Sequence, residues 1–513
     1  MAMADNGRLN DVLVKKKSKA PSMTVNKPEA GEGQQREVKS SAPVKEKYDH
    51  IIRYDAGTRP ATEKKPVPKA APHSSGSASA DEFIEKASEK ATSIVRVLKA
   101  PDAPPTCCTY FKRRGKVDIP LLLTIIILAV FGLVIMSSAS YAQSLFENRD
   151  SYDSIKQQIY GMLIGFGAML FFAFMDYKIF ITPVIQVFRH FGRFLKDCVG
   201  LKKKPLDEFK VKGNGLNAAH ILFFIFAMFL MILTCVAGEE VAGARRWITL
   251  FGVRFQPSEL MKISLILVMA YMLQRYYESR KKYAPGFARY VFVFALCAIT
   301  CVAQRHFSAV IIVTVICYAM MFAGDVSLRK LFGLTVLIVV AAIAFVILFP
   351  DKISYIVERI DGWFAPFGDT TDTTYQTSQS LITIGSGGLF GRGLGNSIMK
   401  YYYLPEAQND FVFSIVCEEL GLVGGITVIL LFVFFGYRGY KISKGATDTF
   451  GSLLALGITV QLVLQAFFNI GVACNALPNT GISLPFFSYG RTALTIQLAE
   501  AGILLSISRN SET

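Results

Sequence analysis

Long apolar segments recur along the chain from residue 119 onwards and are separated by shorter polar stretches. A helix needs about 20 apolar residues to cross a hydrocarbon core of about 30 Å. Ten segments approach that length, at 119–140, 157–176, 218–237, 257–274, 289–304, 307–323, 331–349, 411–436, 452–474 and 490–508. The pattern therefore predicts an all-α polytopic membrane protein with about ten transmembrane helices, formed by residues 118–509.

Basic residues cluster at alternate ends of these segments, at 112–116, 202–204, 275–282, 329–330 and 438–444. With ten spans all five clusters fall on one side, which the positive-inside rule assigns to the cytoplasm. Both termini are then cytoplasmic, including a short tail at 510–513. The outward loops are 141–156, 238–256, 350–410 and 475–489. The loop 350–410 is too long for a simple connector, so chemistry on the outer side is expected.

Composition separates the N-terminal 117 residues from the rest of the chain. Hydrophobic residues make up 52% of the whole sequence, charged residues 18%, and the mean hydropathy is +0.38, as expected for a membrane protein. Residues 1–117 instead contain 23 Lys and Arg against 14 Asp and Glu, with many Pro, Ser and Ala. They are predicted to form a disordered, basic cytoplasmic tail.

Within this tail, residues 81–100 place apolar side chains along one helical face. Such a helix could lie on anionic lipid or a partner protein, or form transiently without a role. Nucleic-acid binding is the usual alternative for a basic tail, but attachment to ten spans argues against it. The nine cysteines and five histidines form no metal-ligand pattern, so neither a structural zinc site nor a disulfide framework is expected.

An acidic residue, Asp410, stands where an apolar helix is predicted to begin. A carboxylate at a bilayer boundary is costly unless it is paired, solvated or chemically active, which makes Asp410 a candidate catalytic residue. The structural alternative is that Asp410 caps a helix starting at Phe411. Glu406 precedes it, and Glu418 and Glu419 follow about two helical turns deeper.

The outward loop 238–256 carries Glu240, Arg245, Arg246 and Trp247. Guanidinium groups bind phosphate oxygens and an indole can stack on a sugar, so these residues suit a phosphorylated, sugar-bearing headgroup. The structural alternative is an interfacial anchor, since Trp and Arg favour the membrane boundary. Glu240 would serve as a metal ligand or as the partner of an arginine.

Lys262 and Glu259 lie inside the next span and share one helix face. They are expected to pair with each other or to face a polar interior. Glu418 or Glu419 is the alternative counter-ion. Structural roles are therefore predicted for these three acids, and a substrate contact for Lys262 remains open.

Two further outward segments have an unusual composition. The glycine-rich run between 385 and 395 would allow close approach of the backbone to a ligand. Residues 475–491 are rich in turns and predict a re-entrant segment, which is tolerated at that depth where it lines a cavity. Ser488, within this segment, is a candidate substrate contact, as is Glu406.

Three blocks of sequence resemble the signature blocks of the SEDS family of bacterial peptidoglycan polymerases, which includes FtsW, RodA and SpoVE. They are GARRWITL with FQPSELMK, GSGGLFGRGLGN with YLPEAQNDFVFSIVCEELG, and TGISLPFFSYG. The resemblance covers about residues 117–509 but not the N-terminal tail. The glycine-rich run, YLPE and DFVF resemble FtsW and SpoVE more than RodA, which implies a role in septal wall synthesis.

The resemblance implies that the protein polymerises glycan strands from lipid II at the outer face of the bacterial cytoplasmic membrane. Asp410 matches the family's catalytic aspartate, and Arg245, Arg246 and Trp247 fall in a block tied to substrate handling. Asp410 would act as general base for glycosyl transfer, and undecaprenyl pyrophosphate would leave. Either the arginines or a divalent cation, Mg or Mn, would neutralise the pyrophosphate. The alternatives are a lipid II flippase and a non-catalytic division scaffold.

The resemblance also implies partners. These are a class B penicillin-binding protein that crosslinks the new strand, other proteins of the division or elongation machinery, and membrane lipid. The sequence departs from the family at three places: Gln408 and Asn409 replace the usual His and Thr, Gln304-Arg305-His306 replaces QPD, and Arg491 replaces a glycine. These changes predict altered substrate contacts within an unchanged fold.

Overall fold

The computed structural model describes residues 115–148, 151–181, 219–241, 244–250, 252–278, 287–348, 354–368 and 372–511. The chain divides into residues 1–75, none of which is described, and residues 76–513, to which everything below belongs. The predicted helix 81–100, and the tail 1–117 apart from its last three residues, lie outside the described residues.

Twelve α-helices make up most of the described chain. They are α1 (Ile119–Asn148), α2 (Asp153–Phe174), α3 (Ala219–Ala237), α4 (Pro257–Glu278), α5 (Phe287–Ala303), α6 (Phe307–Ala323), α7 (Leu328–Leu348), α8 (Ser354–Phe364), α9 (Asp372–Ser386), α10 (Val412–Gly445), α11 (Thr449–Ala473) and α12 (Arg491–Ser508). Each predicted span coincides with one of these helices, and α8 and α9 lie within the predicted loop 350–410. The helical fold class is therefore confirmed.

Among the described residues, six helices are long and apolar enough to cross a membrane: α1, α2, α3, α7, α10 and α11. The apolar helices α5 and α6 are shorter, with 17 residues each. The helices α4 and α12 have lower hydropathy because each carries buried polar and charged residues, among them Glu259, Lys262 and Glu500. The exact count of ten spans stays a prediction.

The loop 238–256 is not irregular, and this corrects a strictly all-α description. It forms an antiparallel sheet of β1 (Glu239–Val241), β2 (Ala244–Leu250) and β3 (Val253–Phe255), in the order β1-β2-β3. The charged residues of this loop are typical of a membrane boundary and did not predict strands. Strands that follow one another along the chain can nevertheless pair through short turns. The sheet fixes the directions of Arg245 and Arg246.

The segment between α11 and α12 enters the helical bundle without forming a helix. Phe486 and Phe487 are fully buried, and the rings of Phe487 and Phe131 are 5.4 Å apart. A Cβ added to Gly132, near the middle of α1, would lie 2.2 Å from the carbonyl oxygen of Phe486. The segment therefore reaches well into the helical bundle, as predicted for a re-entrant segment. Its backbone is satisfied in part by Gln497, whose Oε1 accepts from Phe486 N at 2.9 Å.

The helix α10 is interrupted at Gly421, which has a φ of 68°. The carbonyl oxygens that this break releases are taken up by the glycine-rich run: Arg392 N and Gly393 N donate to the carbonyl oxygens of Glu418 and Glu419 at 3.0 and 2.9 Å. A Cβ on Gly391 would lie 2.1 Å from the Glu419 oxygen. The glycines allow a close backbone approach, here to the interrupted helix. A close approach of this run to a ligand stays a prediction.

Candidate active site

Asp410 lies in the turn that precedes α10, and its side chain is half-buried. The N-cap of α10 is Phe411, and no side chain makes a capping hydrogen bond there. The structure therefore gives Asp410 no capping role. Its carboxylate stands at the mouth of a buried helix, as the sequence predicted, and is free for another role.

The main chain around Asp410 is held by the re-entrant segment and by α11. Asn469 donates from Nδ2 to the carbonyl oxygens of Asp410, at 2.7 Å, and of Ile482, at 2.8 Å. Tyr489 N donates to the Gln408 carbonyl oxygen at 2.8 Å. Because these contacts use backbone carbonyls, replacing the family's usual side chain at position 408 leaves them intact.

Ser488 contributes to the same frame. Its hydroxyl donates to the carbonyl oxygen of Asn409 at 2.6 Å and accepts from Leu484 N at 2.7 Å. These two bonds make it a positioning residue for the turn that carries Asp410. The substrate contact predicted for Ser488 stays a prediction.

Glycine is required next to the Asp410 carboxylate. Gly481 has a φ of +66°, and a Cβ at this position would lie 3.3 Å from Asp410 Oδ2 and 4.0 Å from Arg246 Nη1. The carboxylate and the guanidinium therefore face the same small space beside the re-entrant segment. A side chain at this position would crowd the Asp410 carboxylate and would be strained by the positive φ.

The electrostatic surroundings make Asp410 more basic than an ordinary aspartate. Burial, followed by the negative charge of Glu406, raises the pKa of Asp410 from 3.8 to about 6, while Arg246 and Arg359 act in the opposite direction. Such a group is mostly ionised at neutral pH yet takes up a proton readily, which suits a general base. Glu406 itself is exposed, and its Oε2 accepts from Asn409 Nδ2 at 2.6 Å.

The two adjacent arginines of β2 have different surroundings. Arg246 donates from Nη2 to the carbonyl oxygen of Arg305 at 3.0 Å and approaches Asp410. Arg245 is exposed and pairs with Glu240, opposite it in the sheet, at 3.5 Å. Adjacent residues of a strand point to opposite faces, so only Arg246 belongs to the Asp410 site. Trp247, the next residue, is half-buried.

Lys262 has Glu259 as its counter-ion. Lys262 Nζ and Glu259 Oε1 are 2.8 Å apart, and both side chains are buried, which confirms the pairing predicted from their spacing. Glu418 and Glu419 instead face the glycine-rich run. Glu419 Oε1 lies 3.6 Å from Lys400 Nζ, and Glu418 Oε1 accepts from Ile398 N at 3.0 Å.

Two residues of α8 contact the segment between α11 and α12 and were not identified from the sequence. Arg359 donates from Nη1 to the carbonyl oxygen of Asn479 at 2.6 Å, and Trp363 donates from Nε1 to that of Asn475 at 3.0 Å. Both contacts span more than 100 residues of sequence. No local pattern in the long outward loop indicates them.

The departures from the family at Arg305, His306 and Arg491 have different surroundings. Arg305 is exposed, with a φ of 53°, and its carbonyl receives Arg246. His306 is buried, and burial, then Arg246 and Lys262, hold its pKa well below 6.5, so its imidazole is neutral. Arg491 lies against α2, where a Cβ on Gly161 would come within 2.8 Å of its Cγ.

Within the part of the chain that the structure describes, no three His, Cys, Asp or Glu side chains are grouped to hold a metal ion. The charged groups that act on the Asp410 carboxylate are Glu406, Arg246 and Arg359. The Mg or Mn ion considered from the sequence stays an expectation.

Fold and site together define a polytopic helical membrane protein with a half-buried aspartate whose pKa is raised. The family model of the FtsW, RodA and SpoVE cell cycle proteins matches residues 209–513. The chain is 32% identical to a Geobacter sp. (strain M18) protein named "Probable peptidoglycan glycosyltransferase FtsW", over 76% of the chain and 96% of that protein. It is 31% identical to stage V sporulation protein E of Bacillus subtilis (strain 168), over 77% and 97%.

Solved structures agree with this grouping at the level of the fold. A chain of a peptidoglycan synthase complex that coordinates polymerization and crosslinking aligns with a TM-score of 0.56 at 20% identity, over 77% of this chain and 98% of that one. The rod shape determining protein RodA of Thermus thermophilus aligns with a TM-score of 0.50 at 22% identity, over 77% and 98%. The chain belongs to the FtsW/RodA/SpoVE family.

Proposed function

We propose that this protein is a peptidoglycan glycosyltransferase that polymerises glycan strands from lipid II, with Asp410 as its general base. The observation that carries the proposal is the Asp410 carboxylate, whose pKa lies near 6 and which shares a small space with Arg246. The names of its relatives support the same reaction. A flippase or a scaffold requires no basic carboxylate at this position.

In the proposed reaction, Asp410 removes the proton from the C4 hydroxyl of the acceptor N-acetylglucosamine. The acceptor oxygen forms a bond to the anomeric carbon of the donor muramyl sugar. The bond from that carbon to the diphosphate oxygen breaks, and the polyprenyl diphosphate leaves with the electron pair. A positioned general base contributes about 10² to 10⁴ in rate. Arg246, close to the base, stabilises the negative charge that develops on the diphosphate.

Location and partners follow from the same proposal. The site lies on the side opposite the basic clusters, so polymerisation would take place at the outer face of the cytoplasmic membrane. The similarity to FtsW and SpoVE favours a role in septal wall synthesis. Because one structural neighbour belongs to a complex that also crosslinks, we propose a class B penicillin-binding protein as partner.

The experiment is polymerisation of lipid II by purified protein, alone and with its partner transpeptidase, comparing wild type with Asp410→Asn. Asparagine keeps the shape of the side chain but cannot accept a proton at neutral pH, so we expect a loss of about 10² to 10⁴ in rate. Asp361→Asn, which removes an exposed acid of α8, is the matched control and should retain activity. A well-folded Asp410→Asn protein that polymerises normally would exclude the general-base role.

A further inference from the structure

The glycine-rich run between α9 and α10 is hydrogen-bonded to the break in α10. The carbonyl oxygens of Gly388 and Leu389 accept from Leu422 N at 2.9 Å and from Val423 N at 3.2 Å. These two bonds lie after the break at Gly421, and the two bonds described above lie before it. The height of the run relative to the membrane is therefore the height of this break.

That height can be estimated along α10, which is long and apolar enough to cross a membrane. Tyr437, Tyr440 and Lys441 are exposed at its cytoplasmic end, and such residues favour the membrane boundary. Leu422 precedes Tyr437 by 15 residues, which is about 22 Å of helix. The hydrocarbon core is about 30 Å thick. Leu422 and the run beside it therefore lie within the outer half of that core.

The exposure of α10 changes at the same break. Every side chain from 412 to 419 is buried. After Gly421, Leu422, Ile426, Leu430 and Val433 are exposed along one helical face. We call these four residues the lipid-facing stripe of α10, because exposed apolar side chains of a membrane-spanning helix contact lipid tails as apolar as themselves.

The side chains of the run continue this stripe. Leu389 and Phe390 are 63% and 81% exposed, and Leu394 and Ile398 are also exposed. An exposed apolar surface of this kind marks contact with a membrane or a protein. The hydrogen bonds to α10 satisfy main-chain groups of the run, as irregular backbone at membrane depth requires.

The charged residue of the run, Arg392, is directed towards the protein. Its Nη1 lies 4.0 Å from Oε1 of the buried Glu418, and its Nε donates to the carbonyl oxygen of Ser386 at 3.3 Å. A long side chain of this type can keep its charge in a polar environment while its neighbours contact lipid. Arg392 is therefore compatible with an apolar environment for Phe390.

We propose that residues 387–398 form a membrane anchor in the outer leaflet, with Leu389, Phe390 and Leu394 in contact with lipid acyl chains. Lipid is the occupant because the surface is apolar, continues the lipid-facing stripe of α10 and lies at the depth of the acyl chains. The inference goes beyond the proposed function and does not depend on it. It changes the location of a segment that the sequence placed in the outward loop 350–410.

The membrane anchor is also joined to the segment that leads to Asp410. Lys400 donates from Nζ to the carbonyl oxygen of Gly395 at 2.6 Å and to Ser138 Oγ of α1 at 3.0 Å. Only 12 positions separate Ile398 from Asp410. Contact of the anchor with lipid thereby helps to set the height of Asp410 relative to the lipid headgroups.

The test places a fluorescent reporter in the anchor of the full-length protein, as Phe390→Trp or, separately, Leu394→Trp. Each variant is reconstituted in nanodiscs of phosphatidylcholine and phosphatidylglycerol, with or without brominated acyl chains, and iodide serves as the aqueous quencher. The signal of the two natural tryptophans is subtracted with wild type. Ile426→Trp, in the lipid-facing stripe, is the control for lipid contact, and Asp361→Trp, at an exposed acid of α8, is the control for water.

We expect brominated lipid to quench both anchor reporters as it quenches Ile426→Trp, and iodide to quench them about threefold less than Asp361→Trp. Quenching by iodide alone would overturn the inference and make the run a solvated loop. Protection from both quenchers would also overturn it, because a second copy of the chain would then cover the surface. Lipid quenching in a protein that does not polymerise lipid II would keep the anchor and remove the proposed function, and iodide quenching in an active protein would do the reverse.

Discussion

The pH dependence of polymerisation should report the pKa of Asp410 directly. The ionised carboxylate is the active base, and protons bind to it as the pH falls through its pKa. Burial and Glu406 raise this pKa from 3.8 to about 6. One pH unit below the pKa, roughly a tenth of the molecules remain ionised, so the rate at pH 5 should be about tenfold below its plateau. An aspartate of ordinary pKa would lose little activity at that pH.

Replacing Glu406 by Gln tests the cause of the shift. The substitution removes the negative charge that raises the pKa of Asp410 but keeps an oxygen to accept the hydrogen bond of Asn409 Nδ2. The pKa should therefore fall, and the acidic limb should move to lower pH. Relative to its own plateau, the variant should be more active at pH 5 than wild type.

The assay is lipid II polymerisation by detergent-solubilised protein between about pH 4.5 and 8, with kcat/KM fitted at each value. Asp361→Asn removes an exposed acid that does not act on Asp410, and its limb should coincide with that of wild type. A wild-type limb centred near pH 4 would refute the assignment of the limb to a buried Asp410. A limb that Glu406→Gln moves to higher pH would refute the electrostatic explanation.

Two further predictions concern residues around the site. Gly481→Ala should reduce polymerisation strongly, because its Cβ would lie 3.3 Å from Asp410 Oδ2. Gly395→Ala is the control: it has a similar positive φ but no atom within 4 Å, so it should cost only the backbone strain of about 1–2 kcal/mol. Equal activity of the two variants would contradict this prediction. Lys400→Met removes the cation that lies 3.6 Å from the buried Glu419. Thermal unfolding should therefore show that the free energy of unfolding falls by about 3–5 kcal/mol. The double variant Lys400→Met with Glu419→Gln should recover part of this loss. A double variant less stable than Lys400→Met would oppose this interpretation.

Local patterns in the sequence were sufficient for several parts of this protein. Each apolar segment that was predicted as a span forms a helix in the structure, because hydropathy over about 20 residues is a local property. The spacing of three on one helix made Glu259 one candidate partner of Lys262, beside Glu418 and Glu419, and the structure shows the pair with Glu259 at 2.8 Å. Asp410 was identified because an acid at the start of an apolar run is exceptional.

The sequence did not separate Arg245 from Arg246, and treated both as ligands of the substrate. The structure separates them through a sheet that the loop pattern did not predict: Arg245 lies opposite Glu240, and only Arg246 approaches Asp410. For the glycine-rich run, the sequence predicted only that its backbone could approach another group closely. In the structure its partner is the break in α10 at Gly421, which no local signal in the run indicates.

The sequence by itself determined the membrane-spanning pattern and the acid at the mouth of α10. Only the tertiary structure decided what surrounds that acid: Arg359 from α8, Asn469 from α11 and Gly481 from the re-entrant segment. These residues lie 51 to 71 positions away from Asp410 in the sequence. Their approach to Asp410 depends on how helices and loops pack, and packing is set by contacts summed over the whole bundle. Helix formation and the cost of a buried charge, in contrast, depend on a few neighbouring residues.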